Sequence, residues 1–122
     1  MSAVAAILSI ILFLVFASSG IQKVIFNPMM SESAARLEFT KRAYQRIGAL
    51  EVAGAIGLLA GLAAKSTSFW GIVNVAAAAG LTLTMVLAVV LHLRKGESFK
   101  LFAPALVLGL LTLLELIFRL VA

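Results

Sequence analysis

The chain has 122 residues, 63% of them hydrophobic and 12% charged, with a mean hydropathy of +1.16. Soluble domains carry about 25% charged residues, so this composition excludes an ordinary water-soluble domain and points to lipid as the solvent. The formal charge is +5, with no Asp and no Cys; disulfides, thiolate metal sites and thiol redox chemistry carried by this chain alone are excluded, and the basic residues are assigned to membrane loops rather than to nucleic acid.

A membrane-spanning helix needs about 20 mostly apolar residues. In chain order the first span is expected over about 1–21. A cleaved signal peptide competes with it, because Phe16-Ala17-Ser18 loosely resembles a small-residue cleavage site. Such peptides open on a basic segment, however, and the first basic residue here is Lys23, after the apolar run. Asn27-Pro28 should break this helix, since proline lacks the amide donor and restricts the residue before it. Ser31 followed by Glu32 then offers an N-cap with an acid in the first turn. Met30, Ala34, Leu37 and Tyr44 fall on one side of the following segment, which predicts a short interfacial helix over about 32–45. A disordered basic loop is the alternative.

The second span is expected over about 47–64, the third over about 70–93 and the fourth over about 101–121. Lys65-Ser66-Thr67-Ser68 reads as a tight polar turn, and Trp70 beside it suits the interfacial aromatic belt. Gly96 after Arg94-Lys95 reads as a C-cap glycine with cations in the last turn. Ser98 can cap the fourth helix, with Pro104 in its first turns. The expected architecture is therefore all-α: a single membrane domain, 1–122, built as a bundle of four transmembrane helices with a short interfacial helix between the first two.

In lipid, helices associate by close backbone approach and polar contacts rather than by apolar side chains. Ala53, Gly57 and Gly61 recur at four-residue spacing, with Gly54 nearby, and Gly71, Ala76 to Ala79 and Gly80 lie on the next span. The second and third spans are thus the expected close pair, or an oligomer interface.

An ionisable side chain at the centre of a span costs about 2.5–3.5 kcal/mol, so each one calls for a partner or a function. Glu51, His92, Lys23 and its neighbour Gln22 fall at one depth on three different spans, so a Lys23–Glu51–His92 cluster is geometrically open. It reads either as a structural ion pair that fixes helix register or as the polar floor of a ligand or proton site. Glu115 and Arg119 are spaced i, i+4 and face one another along the last span. With Asn74 they would form a second patch in the opposite membrane half. No phosphate loop, two-histidine metal spacing or nucleophile elbow occurs. One histidine without cysteine offers no metal or haem ligand set.

The run Ala17-Ser18-Ser19-Gly20-Ile21-Gln22-Lys23, the block Ile47-Gly48-Ala49-Leu50-Glu51-Val52-Ala53-Gly54-Ala55, and the stretch from Met85 to Gly96 with Ala88 and His92 together resemble the DoxX-like family. The resemblance spans nearly the whole chain. It implies a four-helix membrane bundle in a bacterial plasma (inner) membrane, with Lys23, Glu51 and His92 at motif positions. It does not imply one activity: relatives are linked to quinone-reducing oxidoreductase subunits, to membrane oxidoreductase complexes and to the assembly of other membrane proteins. The first functional expectation is an accessory or assembly subunit of a larger membrane complex, for instance a respiratory oxidoreductase, or a homo-oligomer, embedded in lipid and not catalytic by itself. The second is a subunit that binds a lipophilic ligand of the quinone type at the Lys23–Glu51–His92 level. A small proton-coupled transporter is third, since such proteins place their acid in the first span and this span has none.

Orientation follows from the basic residues. Lys23, Arg36, Lys41, Arg42, Arg46, Arg94, Lys95 and Lys100 fall on one side, against Lys65 and Arg119 on the other, so both termini are expected outside the cytoplasm. A reporter active only in the cytoplasm should be silent when fused to the C-terminus. Activity there would reverse the orientation and move Glu51 and His92 to the outer half.

Overall fold

The computed structural model describes residues 3–62 and 68–121. The described residues form five helices: α1 (Ala3–Ile25), α2 (Pro28–Arg36), α3 (Lys41–Ala60), α4 (Phe69–Arg94) and α5 (Phe99–Val121). The fold is all-α, as expected. Three helices, α1, α4 and α5, are long and apolar enough to cross a membrane. α3 is not among them, because Lys41, Arg42, Gln45, Arg46 and Glu51 dilute its apolar content. All four long helices nevertheless present large apolar side chains outward, among them Ile7, Leu14, Ile56, Leu83, Leu110 and Leu120. This is a surface suited to lipid rather than water.

α1 continues to Ile25, one turn beyond the expected end. Phe26 then adopts φ 60° and Asn27 begins a new helix. The expected cap at Ser31 is corrected: Asn27 is the N-cap, its Oδ1 accepting from Met30 N at 2.9 Å, with Pro28 in the first turn. Proline fits there because its missing amide would be unpaired in any case. The single helix expected over 32–45 is likewise corrected to two. Glu38 takes a left-handed φ of 62°, and two bonds, Phe39 N to Ala34 O and Glu38 N to Ala35 O, close α2 in a Schellman motif. Thr40 starts α3, accepting from Ala43 N. The same motif ends α4, with Gly96 at φ 69° and Glu97 N bonded to His92 O, as the glycine suggested. Ser68 caps α4 through Gly71 N. The expected turn at 65–67 and the end of the second span, 63–64, lie outside the described residues.

The four long helices close a ring in which each packs on two neighbours: α1 on α3 and α5, and α4 on α3 and α5. A core of Leu12, Phe16, Ala55, Leu58, Ala78, Leu81 and Met85 fills the centre. α2 lies against α3 at the end where α1 finishes and α5 begins.

The α3–α4 contact uses part of the expected stripe. A methyl on Gly54 would meet Leu81, one on Gly57 would meet Ala77, and one on Gly61 would strike the Trp70 carbonyl and Asn74. Ala53 belongs elsewhere, because it is exposed. The α3–α4 pair is close at Gly61, but its contact is not the most extensive one. α1 and α3 share the most extensive contact, and their backbones cross at Gly20 and Gly48. A Cβ on Gly20 would lie 2.5 Å from Gly48 O, and one on Gly48 would lie 2.6 Å from Gly20 O. Such an approach is possible only without side chains.

These contacts rank the glycines. Gly48→Ala should lower stability in detergent by about 1–3 kcal/mol, the usual range for overpacking. Gly80→Ala, where an added methyl meets nothing within 4 Å, should be neutral or stabilise by up to about 1 kcal/mol. Equal effects in chemical denaturation would contradict the crossing at Gly48.

Candidate functional site

Two groups of buried polar residues occupy opposite ends of the bundle. At the α2 end, the crossing of Gly20 over Gly48 sets the last turn of α1 beside the middle of α3. One turn beyond Gly20, Lys23 reaches Glu51 and forms an ion pair with its Oε1. Glu51 is 1% exposed and the Lys23 side chain 14%. Glu51 Oε2 is buried and has no hydrogen-bond partner among the described residues. The Lys23 ammonium also lies 5.5 Å from the centre of the Tyr44 ring, a cation–π distance. Tyr44 in turn donates from its hydroxyl to Ser33 Oγ at 3.0 Å, joining α3 to α2.

These residues border a cavity of about 490 Å³, within the usual range for small-molecule sites. Its apolar wall includes Phe16, Ile47, Met85, Leu91 and Leu108, from all four long helices. Its polar wall includes Lys23, Glu51, Tyr44, Ser33, Arg36 and His92. An apolar body with a few convergent polar groups is the usual make-up of a ligand site.

The expected Lys23–Glu51–His92 cluster is thus assembled around one cavity, but not as one network. His92 Nδ1 bonds Glu97 Oε2, and Arg36 bonds Glu97 Oε1 at 3.0 Å. Lys95 and Glu38 add a second tie at 2.7 Å. Together these pairs strap the end of α2 to the α4–α5 connection, over the cavity. The Lys95 ammonium, by hydrogen bond and charge, holds the Glu38 carboxyl below its ordinary value. Its contribution is therefore full at neutral pH and is lost as pH falls through that lowered value; being exposed, it is small. Gln22 lies outside the cavity and donates to Ser18 Oγ at 3.3 Å on its own helix.

The second group lies near the opposite end. Glu115 and Arg119 are both fully buried, yet each reaches another helix. Glu115 Oε1 accepts from Ser9 Oγ of α1 at 2.8 Å, and Arg119 donates to Gly61 O at 3.0 Å. Asn74 donates to Leu58 O at 2.8 Å. Arg119 and Asn74 therefore serve carbonyls at the C-terminus of α3, where the helix supplies no amides of its own. Ser9 and Lys23 are 14 positions apart, about 21 Å along α1, and the apolar core lies between the two groups.

Sequence reasoning passed over Tyr44 as a polar group, counted Arg36 only as a loop cation, and left out Ser9, Ser33 and Glu97 altogether. Ser9 and Ser33 gave no signal, because serines are ordinary on membrane helices. Glu97 could have been paired with His92, five residues before it across a glycine turn. Among the described residues no group of three or more His, Cys, Asp or Glu could hold a metal ion.

The sequence model of the DoxX-like family matches residues 7–114, a span that takes in the Lys23–Glu51 group and ends just before Glu115 and Arg119. No curated protein matches the chain, and no solved structure does.

Breaking a buried pair from one side leaves a charge without compensation and costs roughly 3–5 kcal/mol. Glu51→Gln should therefore lower stability by about that amount, and adding Lys23→Met should restore part of it. Additive losses in a double-mutant cycle would contradict the pairing.

Proposed function

The chain belongs to the DoxX-like family, and on that premise we propose that it is a membrane protein that holds a lipophilic molecule in the cavity beneath α2. The observation that carries this reading is the buried carboxylate of Glu51, with one oxygen on Lys23 and the other unsatisfied, in the wall of a largely apolar cavity. Retaining a buried ion pair beside an apolar cavity is expensive unless something uses it.

In this reading α3 also crosses the membrane, which makes four spans with α1, α4 and α5, and α2 lies in the headgroup layer. The Lys23–Glu51 pair keeps the Glu51 charge away from lipid, and Lys41, Arg42 and Arg46 reach headgroups as snorkelling side chains do. The basic residues at that end support its assignment to the cytoplasmic leaflet of a bacterial plasma membrane, with both termini outside. A quinone-type molecule is one candidate occupant.

A second reading, that the chain is an accessory or assembly subunit of a larger complex such as a respiratory oxidoreductase, is favoured by another observation. Ala49, Ala53 and Ala60 of α3 and Ala76, Ala79 and Gly80 of α4 are exposed, and small residues facing lipid are the usual material of helix–helix contacts. The two readings are compatible, since a ligand subunit can sit within a complex.

Purification in mild detergent tests both. Mass spectrometry of the organic extract should find a lipophile at near-stoichiometric amount. Ala88→Phe, which fills the cavity, should lose it while keeping the fold. An empty extract from the wild-type protein would contradict the ligand reading, and purification without any companion protein would contradict the accessory one.

A further inference from the structure

Three donors of the cavity wall are engaged within the protein, and one strong acceptor is left over. The Lys23 ammonium is on Glu51 Oε1, the Tyr44 hydroxyl is on Ser33, and the Thr84 hydroxyl is on Gly80 O. Glu51 Oε2 is buried with no partner among the described residues. A molecule that fits here must therefore bring a donor. A head group with acceptors only, such as an ether or a ketone, would leave the carboxylate oxygen desolvated and unpaired.

The charges around the cavity indicate that the donor is neutral. Lys23 is balanced by Glu51, and Arg36 by Glu97. A cationic head would meet no unmatched anion, and an anionic head no unmatched cation.

The approach to the cavity is also set by the fold. On the α2 side it is strapped by the Arg36–Glu97 and Glu38–Lys95 pairs. α3 and α4 touch through Gly54, Gly57 and Gly61, which all lie on the far side of Glu51 from α2. Nearer α2 the two helices border the cavity with Leu50 and Leu87, which are 69% and 55% exposed. Side chains that both line the cavity and face outward mark an opening toward lipid.

We propose that the cavity takes an uncharged, hydroxyl-bearing amphiphile from the bilayer, through the gap between α3 and α4, and that its hydroxyl donates to Glu51 Oε2. This rests on the ligand-binding reading and adds the head-group chemistry and the route.

The test uses two probes of one shape, para-octylphenol and its methyl ether, with the full chain in lipid nanodiscs. Equilibrium binding of the labelled compounds should favour the phenol by about 10-fold or more, the range for a hydrogen bond to a charged group. The double variant Lys23→Met with Glu51→Met removes both charges, leaves neither buried alone, and should bind the two probes equally. Leu87→Trp, at the gap, should slow association of the phenol and leave the ratio of affinities unchanged. Equal affinity in the wild-type protein, or a preference that survives in the double variant, would overturn the head-group assignment. Unchanged association in Leu87→Trp would overturn the route. Binding of neither probe would also overturn the inference, and the ligand reading beneath it falls only if the purified protein carries no lipophile.

Discussion

The ion pair between Lys23 and Glu51 is the constraint around which this bundle is organised. A carboxylate and an ammonium taken out of water cost several kcal/mol each, and their attraction repays that only in good geometry. The geometry here is supplied by glycine. Gly20 and Gly48 let α1 and α3 cross with backbones in contact, which brings Lys23 one turn beyond the crossing to Glu51, one turn beyond it on the partner. Shift either helix by one residue and its charge swings about 100° away from the other, which is left unpaired. The pair thus selects one register among the many that apolar helices could adopt, and it fixes the polar wall of the cavity at the same time.

The far end of the bundle solves a different problem with similar means. α3 is the shortest of the four long helices and stops at Ala60, inside the span of its neighbours. Its final carbonyls are received by Asn74 and Arg119, while Ser9 satisfies one oxygen of Glu115. An apolar layer of Leu12, Phe16, Leu58 and Leu81 lies between the two ends.

Much of this was legible in the sequence where the signal was local. Helix limits marked by Asn27-Pro28 and by Gly96 are readable because proline and left-handed glycine act on the backbone at that position. Glu51 and Lys23 stood out because a charge in an apolar run has few explanations. What was illegible depended on pairs distant in sequence. The α1–α3 crossing needs Gly20 and Gly48 together, and neither belongs to a repeating stripe, so the more regular Gly54, Gly57 and Gly61 drew attention to α3–α4 instead. His92 was grouped with Glu51 by depth, yet Glu97 lies nearer along the chain and reaches it across the turn. The break at Glu38 could not be foreseen either, since left-handed backbone at a glutamate carries no sequence signature. The i, i+4 spacing of Glu115 and Arg119 gave no hint of their further partners on other elements, Ser9 and Gly61, because those lie far away in sequence.

The claim on which the rest turns is that Lys23 and Glu51 touch within the bilayer. Solid-state magnetic resonance can measure it directly, through the dipolar coupling between a nitrogen-labelled Lys23 side chain and a carbon-labelled Glu51 carboxyl in lipid. The account predicts the strong dephasing of a direct ammonium–carboxylate contact, lost in Gly48→Leu, where the crossing cannot form. Absence of coupling in the wild-type protein would contradict it, and would leave the cavity without its polar wall.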